Sequence, residues 1–436
     1  MIVISITRFM TCVAIVDIEN DVFEAVKRVF ELTTRGEDLI KNSGEVYLKP
    51  NLIDFKPYAF TDPKVVHAVI RYFYECGASE IFLMENSTQA NMTRLVFEFT
   101  GYKQMCKELG VKPIFLDEEP VSTVKLPHFE KPIEFPRLII EKFVNEPELH
   151  TYVSLPKLKT HSMSTVTLGV KNQMAFPSHK DRGYHHGDEL HRLLADFYAV
   201  VRPNYTLIDG TQAVFNGHYP LQTFLSESLD SLDILIGGAD TLATDVIGAK
   251  VLGYDIDEVK HLALVRDDSG GVGNLSQIEV KGDLSRFTKK YPCDIFDKMP
   301  EDVLIIRGKE KLCPEGCDLN VRMVLQMLYY DYGGKGGFTI VMGKGFDHAE
   351  LEAVTGKILI AGDCAIEETK EFFFAKLGKK NVFTSPTCNR LAATTSALCK
   401  LMDVSVLDLV PSKLTAIKTL LQGKLHGSRA LVPDLF

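Results

Sequence analysis

Glu45-Val46-Tyr47-Leu48-Lys49-Pro50-Asn51 is a short apolar run that stops abruptly in a basic and an amide side chain. The same form recurs along the chain. Residues 81–84 end in Glu85-Asn86-Ser87, 114–116 in Asp117, 152–155 in Pro156-Lys157, and 206–208 in Asp209-Gly210, while 234–236 lead through two glycines to Asp240. A strand covered on both faces reads as an unbroken apolar run, so these segments predict a parallel sheet, and residues 11–16 read as its first strand. Helix-like segments lie between them. The expected fold is therefore α/β, a mainly parallel sheet with helices on both faces. Ligands in such sheets collect beyond the carboxyl ends of the strands, which predicts that these polar ends line one crevice.

One intervening helix is clearly signposted. Thr61 or Asp62 serves as N-cap, Pro63 takes the first helical position, Val66, Val69, Ile70 and Phe73 share a face, and Gly77 stops it. Near residue 290 the pattern loosens into charged and aromatic residues, which sets a boundary at 297. The expected organisation is a large α/β domain over 1–297, a second, smaller α/β domain over 298–410, and a helical tail over 411–436. In that tail Leu414, Ile417, Leu420 and Leu421 form an amphipathic stretch expected to dock onto the body or onto a second subunit.

The net charge of −9 gives no support to non-specific nucleic-acid binding. Nine cysteines spread over 436 residues do not resemble a secreted disulfide framework and favour a reducing, cytoplasmic setting. Arg8 interrupts the apolar start, so a signal peptide is not expected, and no apolar stretch approaches the ~18 residues of a membrane span. Neither Gly-x-Ser-x-Gly nor a complete phosphate loop occurs; the run from Gly337 to Lys344 has one residue too many between its glycines.

The densest polar chemistry is Pro156-Lys157-Leu158-Lys159-Thr160-His161, followed by Lys171-Asn172, with His161, His179, His185, His186 and His191 in the same region. Lysines in a crevice attract carboxylate or phosphate, and imidazole beside them moves protons near neutral pH. A lysine whose pKa is depressed by burial or by neighbouring lysines can act as a base. We take His161, Lys159, Lys171 and Asp209 as candidate catalytic residues. Lys49, Asn51, Glu85, Lys157, Asn172 and Asp240 are the candidate substrate-binding residues, and the expected substrate is a small anionic molecule.

Four more residues invite a metal. Cys313 and Cys317, Cys364, and Cys388 each follow a strand-like run, at residues 303–306, 357–361 and 382–384. If those strands are parallel, the thiols gather at one edge, the donor set of a four-iron four-sulfur cluster or, alternatively, of zinc. Cys12, Cys106, Cys293 and Cys399 read as structural, and His67 and Cys76 as packing residues.

Taken together, Leu48-Lys49-Pro50-Asn51, Thr61-Asp62-Pro63, Glu85-Asn86-Ser87, Gly101-Tyr102, the Lys157-to-His161 block with Thr167 to Asn172, Asp209-Gly210, and Gly238 to Asp240 with Asp245 resemble the prokaryotic domain-of-unknown-function family 362. The resemblance spans roughly residues 11–275 and implies Met10 as the natural start. It also implies an association with iron–sulfur proteins, although the Cys-x2-Cys-x2-Cys repeats of fused members are absent. The expectation is therefore an iron–sulfur protein, a redox-linked enzyme or oxidoreductase acting on a small anion. The alternatives are an electron-transfer or cluster-carrier protein docking a ferredoxin-like partner, and a non-redox lyase or isomerase with structural zinc. Self-association is left open.

Overall fold

The computed structural model describes residues 11–184, 189–217, 219–269 and 272–434, so Met10, His185 and His186 lie outside the described residues. Its large sheet runs in the order Ile278–Lys281, Thr11–Asp17, Leu229–Gly238, Tyr205–Val214, Thr151–Leu155, Glu45–Pro50, Glu80–Glu85 and Lys112–Phe115. Five consecutive strands of this order, from Tyr205–Val214 to Lys112–Phe115, are mutually parallel. The fold is the expected α/β, with apolar cores on both faces of the sheet. One core is built around Val29, Phe30, Val69 and Phe73, and the other around Ile208, Ile236, Ile247 and Leu262.

The Pro63–Glu75 helix forms as its signals require. The Asp62 carboxylate accepts from the Lys64 backbone N–H at 2.8 Å, and Val65, Val66, Val69, Ile70 and Phe73 are buried. Leu229–Gly238 departs from expectation. It runs antiparallel to both neighbours, so its final residues face the opposite edge from the other strand ends. Asp240, expected in the crevice, instead caps the Thr241–Val251 helix by accepting from the Ala243 N–H at 2.9 Å.

A second, smaller α/β unit carries the four parallel strands Leu304–Arg307, Thr339–Met342, Ile358–Ala361 and Val382–Ser385, adjacent in chain order. Thr339–Met342 is the strand hidden in the run that resembles a phosphate loop. Beyond this unit the Lys413–Leu425 helix docks against Met92 and Leu95, with Leu420 the one member of the expected apolar stretch that packs there. Its buried face is Ala416, Thr419 and Gly423, while Leu414 and Leu425 are 83% and 86% exposed. The cause is steric: a Cβ at Gly423 would stand 2.2 Å from the Met92 sulfur, so only small residues permit this approach. The chain then returns to the first unit, where the Ser428 hydroxyl donates to Asp117 at 2.6 Å and the Leu431 N–H to His179 Nδ1 at 2.9 Å. Among the described residues no helix is long and apolar enough to cross a membrane.

Lys157 and Asp209 form a buried tie rather than a crevice wall. Lys157 Nζ donates to Asp209 at 3.0 Å and to the Thr211 hydroxyl at 2.9 Å, and Asp209 also accepts from the Asp62 N–H at 2.7 Å. The pair thus fastens the start of the Pro63–Glu75 helix to two strands. Removing one member of a buried ion pair strands the other charge, at a cost of about 3–5 kcal/mol. Asp209→Ala is therefore expected to lower the unfolding free energy, measured by urea titration, by that amount, and a loss below about 1 kcal/mol would show the pair to be dispensable.

Candidate functional site

A cavity of about 100 Å³ lies at the carboxyl ends of the parallel strands, where the two α/β units meet. It is walled by Lys49, Asn51, Glu85, Lys159, His161, Lys171 and Asn172, all anticipated from the sequence. Gln89 and Arg182, both missed, join them, with Asn320 and Asn389 from the second unit. Lys157, Asp209 and Asp240 are not part of this wall.

Glu85 organises one side. One carboxylate oxygen accepts from Lys49 Nζ at 3.1 Å and from the Leu52 N–H at 2.9 Å, and the other accepts from the Asn86 N–H at 2.8 Å. Lys49 Nζ also donates to Asn172 at 3.0 Å, and the Asn172 amide donates back to the Lys49 carbonyl at 3.1 Å. Burial lowers the Lys49 pKa while the charge of Glu85 holds it up. The Lys159 ammonium donates to the Ala59 carbonyl at 3.1 Å, and burial with the charges of Lys171 and Lys157 pushes its pKa well below the usual lysine range. His161 Nδ1 accepts from the Met163 N–H at 3.1 Å, which puts the neutral ring's proton on Nε2.

Lys171 is placed by a different device. It sits in the short Gly169–Asn172 helix, whose first N–H groups, those of Gly169 and Val170, both donate to the buried Asp245 carboxylate at 2.7 Å. The close approach demands glycine, since a Cβ at Gly169 would lie 2.6 Å from a Thr241 methyl. Among the described residues the Lys171 ammonium has neither a hydrogen-bond nor an ion-pair partner. Burial, helped by the Arg182 charge, pushes its pKa down to about 7. Arg182 is itself fixed by the backbone: its guanidinium donates to the carbonyls of Pro177, Ser87 and Ala175 at 3.0, 2.9 and 2.9 Å.

Among the described residues, five acceptors on side chains that line this cavity are buried without partners: Asn51 Oδ1, Asn86 Oδ1, Gln89 Oε1, Thr167 Oγ1 and Asn389 Oδ1. The orientation of two is set from behind, because the amide nitrogens of Asn86 and Gln89 donate to the carbonyls of Pro177 and His179. Buried polar atoms almost always find a partner, so unsatisfied acceptors on residues that line one space mark a place for hydrogen-bond donors. The other histidines of the segment serve elsewhere. His179 bridges the Ser87 carbonyl and the Leu431 N–H, and His191 stands beside His261 and Glu315.

The expected metal centre is not formed. Cys313, Cys317, Cys364 and Cys388 do follow parallel strands of one sheet, and Cys388 and Cys313 lie near enough to raise the Cys317 pKa. Yet among the described residues no group of three or more His, Cys, Asp or Glu side chains is arranged to hold a metal ion. Cys317 packs in the apolar core of the second unit, where burial pushes its thiol up to about 12 and keeps it protonated at neutral pH. The four-iron four-sulfur cluster, the zinc alternative, and the redox and ferredoxin-partner expectations built on them are accordingly withdrawn. What the cysteine loops bring to the cavity is amide, Asn320 three residues after Cys317 and Asn389 directly after Cys388.

Residues 46–250 match the family model described as Domain of unknown function (DUF362). The DUF362 match includes every wall residue from Lys49 to Arg182, together with Asp245, whereas Asn320 and Asn389 lie outside it. A curated relative is the Thylakoid-associated protein sll1697 of Synechocystis sp., 25% identical over 228 residues. That alignment covers 50% of this chain and 66% of the relative, just under two thirds of its length.

The lysine at the centre of the wall sets a pH dependence. An unfolded chain keeps the lysine proton up to the ordinary value near 10.5, whereas the folded chain releases it at about 7. Between these values the unfolded state binds more protons, so stability rises with pH, and below about 7 the full cost of the buried ammonium remains. Lys171→Met is expected to raise the melting temperature at about pH 6 and to lose this advantage as pH approaches about 10. A gain independent of pH across thermal melts would show that Lys171 is not the titrating group.

Proposed function

We propose that the cavity binds a small organic anion bearing hydroxyl or amide hydrogens, and that Lys171 exchanges a proton with it. The observation that carries this reading is the concentration of buried cations, Lys49, Lys159, Lys171 and Arg182, around a space also bordered by five unsatisfied acceptors, against the single wall carboxylate of Glu85. The cations favour carboxylate or phosphate, and the acceptors favour the donors of a hydroxylated or amidated skeleton. A lysine poised near 7 holds and releases a proton at working pH, as a general acid or base must. His161, with Nε2–H as its neutral donor, takes the role of orienting or relaying.

The chemistry so supported is non-redox. It suits a cytoplasmic setting, consistent with the cysteine usage, and a chain organised as 1–297, 298–410 and 411–436, with the ligand held where the first two parts meet. The net acidity of the chain keeps nucleic acid out of the reading.

Thermal shift and calorimetry with inorganic phosphate, glycolate, malate and glycerol phosphate test it. At least one anion is expected to raise the melting temperature, with Lys171→Met weakening that anion by about ten- to a hundredfold, as loss of a charge-assisted bond requires. In the wild type, affinity should fall by up to about tenfold per pH unit above about 7, and in Lys171→Met it should stay flat. If none of these anions shifts the melting curve, or if the wild-type affinity ignores pH, the proposal fails.

A further inference from the structure

A second cavity of about 100 Å³ adjoins the first, and Gln89 and Leu391 belong to the walls of both. Its character is opposite. Leu95, Val324, Met327, Leu409, Val410 and Val432 supply apolar surface from the first unit, the second unit and the C-terminal segment. The charged groups there are spoken for. Asp54 accepts from the Lys56 N–H at 2.8 Å and from the Asn91 amide at 2.5 Å, and Lys56 Nζ lies 3.6 Å from Asp331 and over the Tyr332 ring. Gln89, which lines both spaces, differs: among the described residues its side-chain oxygen has no hydrogen-bond partner.

Resting on the anion-binding reading above, we infer that the ligand is an amphiphile, an anionic head among Lys171, Arg182 and the asparagines joined at Gln89 and Leu391 to a short apolar tail in the second cavity. The occupant is set by adjacency, because Gln89 and Leu391 line both cavities and the polar and apolar spaces therefore lie on either side of the same two side chains. Its size follows from volume. An apolar cavity of roughly 150 Å³ holds a benzene ring, so the smaller space here admits a tail of about four carbons. The two environments divide the work. Charge and hydrogen bonds fix the head, and removal of hydrocarbon from water selects the tail.

The test is a calorimetric series of α-hydroxy acids, glycolate, lactate, α-hydroxybutyrate, α-hydroxyvalerate, α-hydroxyhexanoate and α-hydroxyoctanoate, with the full chain. Affinity is expected to rise about fourfold per added methylene and to level off after about four side-chain carbons. Val410→Phe and, separately, Leu407→Phe fill the apolar space away from the head and are expected to flatten the series while leaving glycolate binding unchanged. A flat series in the wild type, with glycolate still bound, overturns the amphiphile and leaves the head site standing. No binding at any chain length overturns the amphiphile, and it overturns the head site as well when inorganic phosphate, malate and glycerol phosphate also fail to bind. Because the wild-type series decides the question alone, a variant that fails to fold does not rescue the inference.

Discussion

Burying positive charge is the constraint on which the rest of this molecule turns. Lys49, Lys159, Lys171 and Arg182 are all held out of water at one edge of a parallel sheet, where each ammonium or guanidinium loses strong hydration. The chain offsets that loss unevenly. Lys49 has a carboxylate and an amide, Arg182 has three carbonyls, Lys159 has one carbonyl, and Lys171 has proximity to Arg182 and a depressed pKa instead. This gradient sets lysines tied into the fold by hydrogen bonds apart from one whose ammonium has no such tie among the described residues. A fully satisfied lysine is a structural rivet, and an unsatisfied one is chemistry held in reserve.

The scaffold exists to impose that gradient. Parallel strands deliver Lys49 and Glu85 side by side, because Glu45–Pro50 and Glu80–Glu85 are neighbours in register. The Asp245 carboxylate receives the first N–H groups of the Gly169–Asn172 helix and so fixes where Lys171 emerges, while Lys157 and Asp209 secure the strands beneath it.

Much of this was legible in the sequence, for a physical reason. Strands buried on both faces must be apolar throughout, and their ends must turn polar on leaving the core, so residues such as Lys49, Glu85 and Lys159 announce themselves. Strand direction leaves no such trace, and Asp240 was misplaced because Leu229–Gly238 runs against its neighbours. Arg182 escaped because its partners are backbone carbonyls, which have no sequence signature. The thiols misled in a related way. Their strands do share an edge, but strand order says nothing about whether side chains converge on one point, and Cys317 is half-buried against the apolar core of its unit. In the Lys413–Leu425 helix Leu414, Ile417, Leu420 and Leu421 looked like the docking face, yet of these Leu420 alone packs against Met92, beside the buried Ala416, Thr419 and Gly423.

Asn320 and Asn389 belong to a different α/β unit from the lysines that share their cavity. A molecule that engages both walls at once acts as mortar between two halves of the protein, and its binding free energy is added to whatever already holds them in place. Occupancy would then be felt far from the cavity, as slower amide hydrogen exchange along the seam between the sheets.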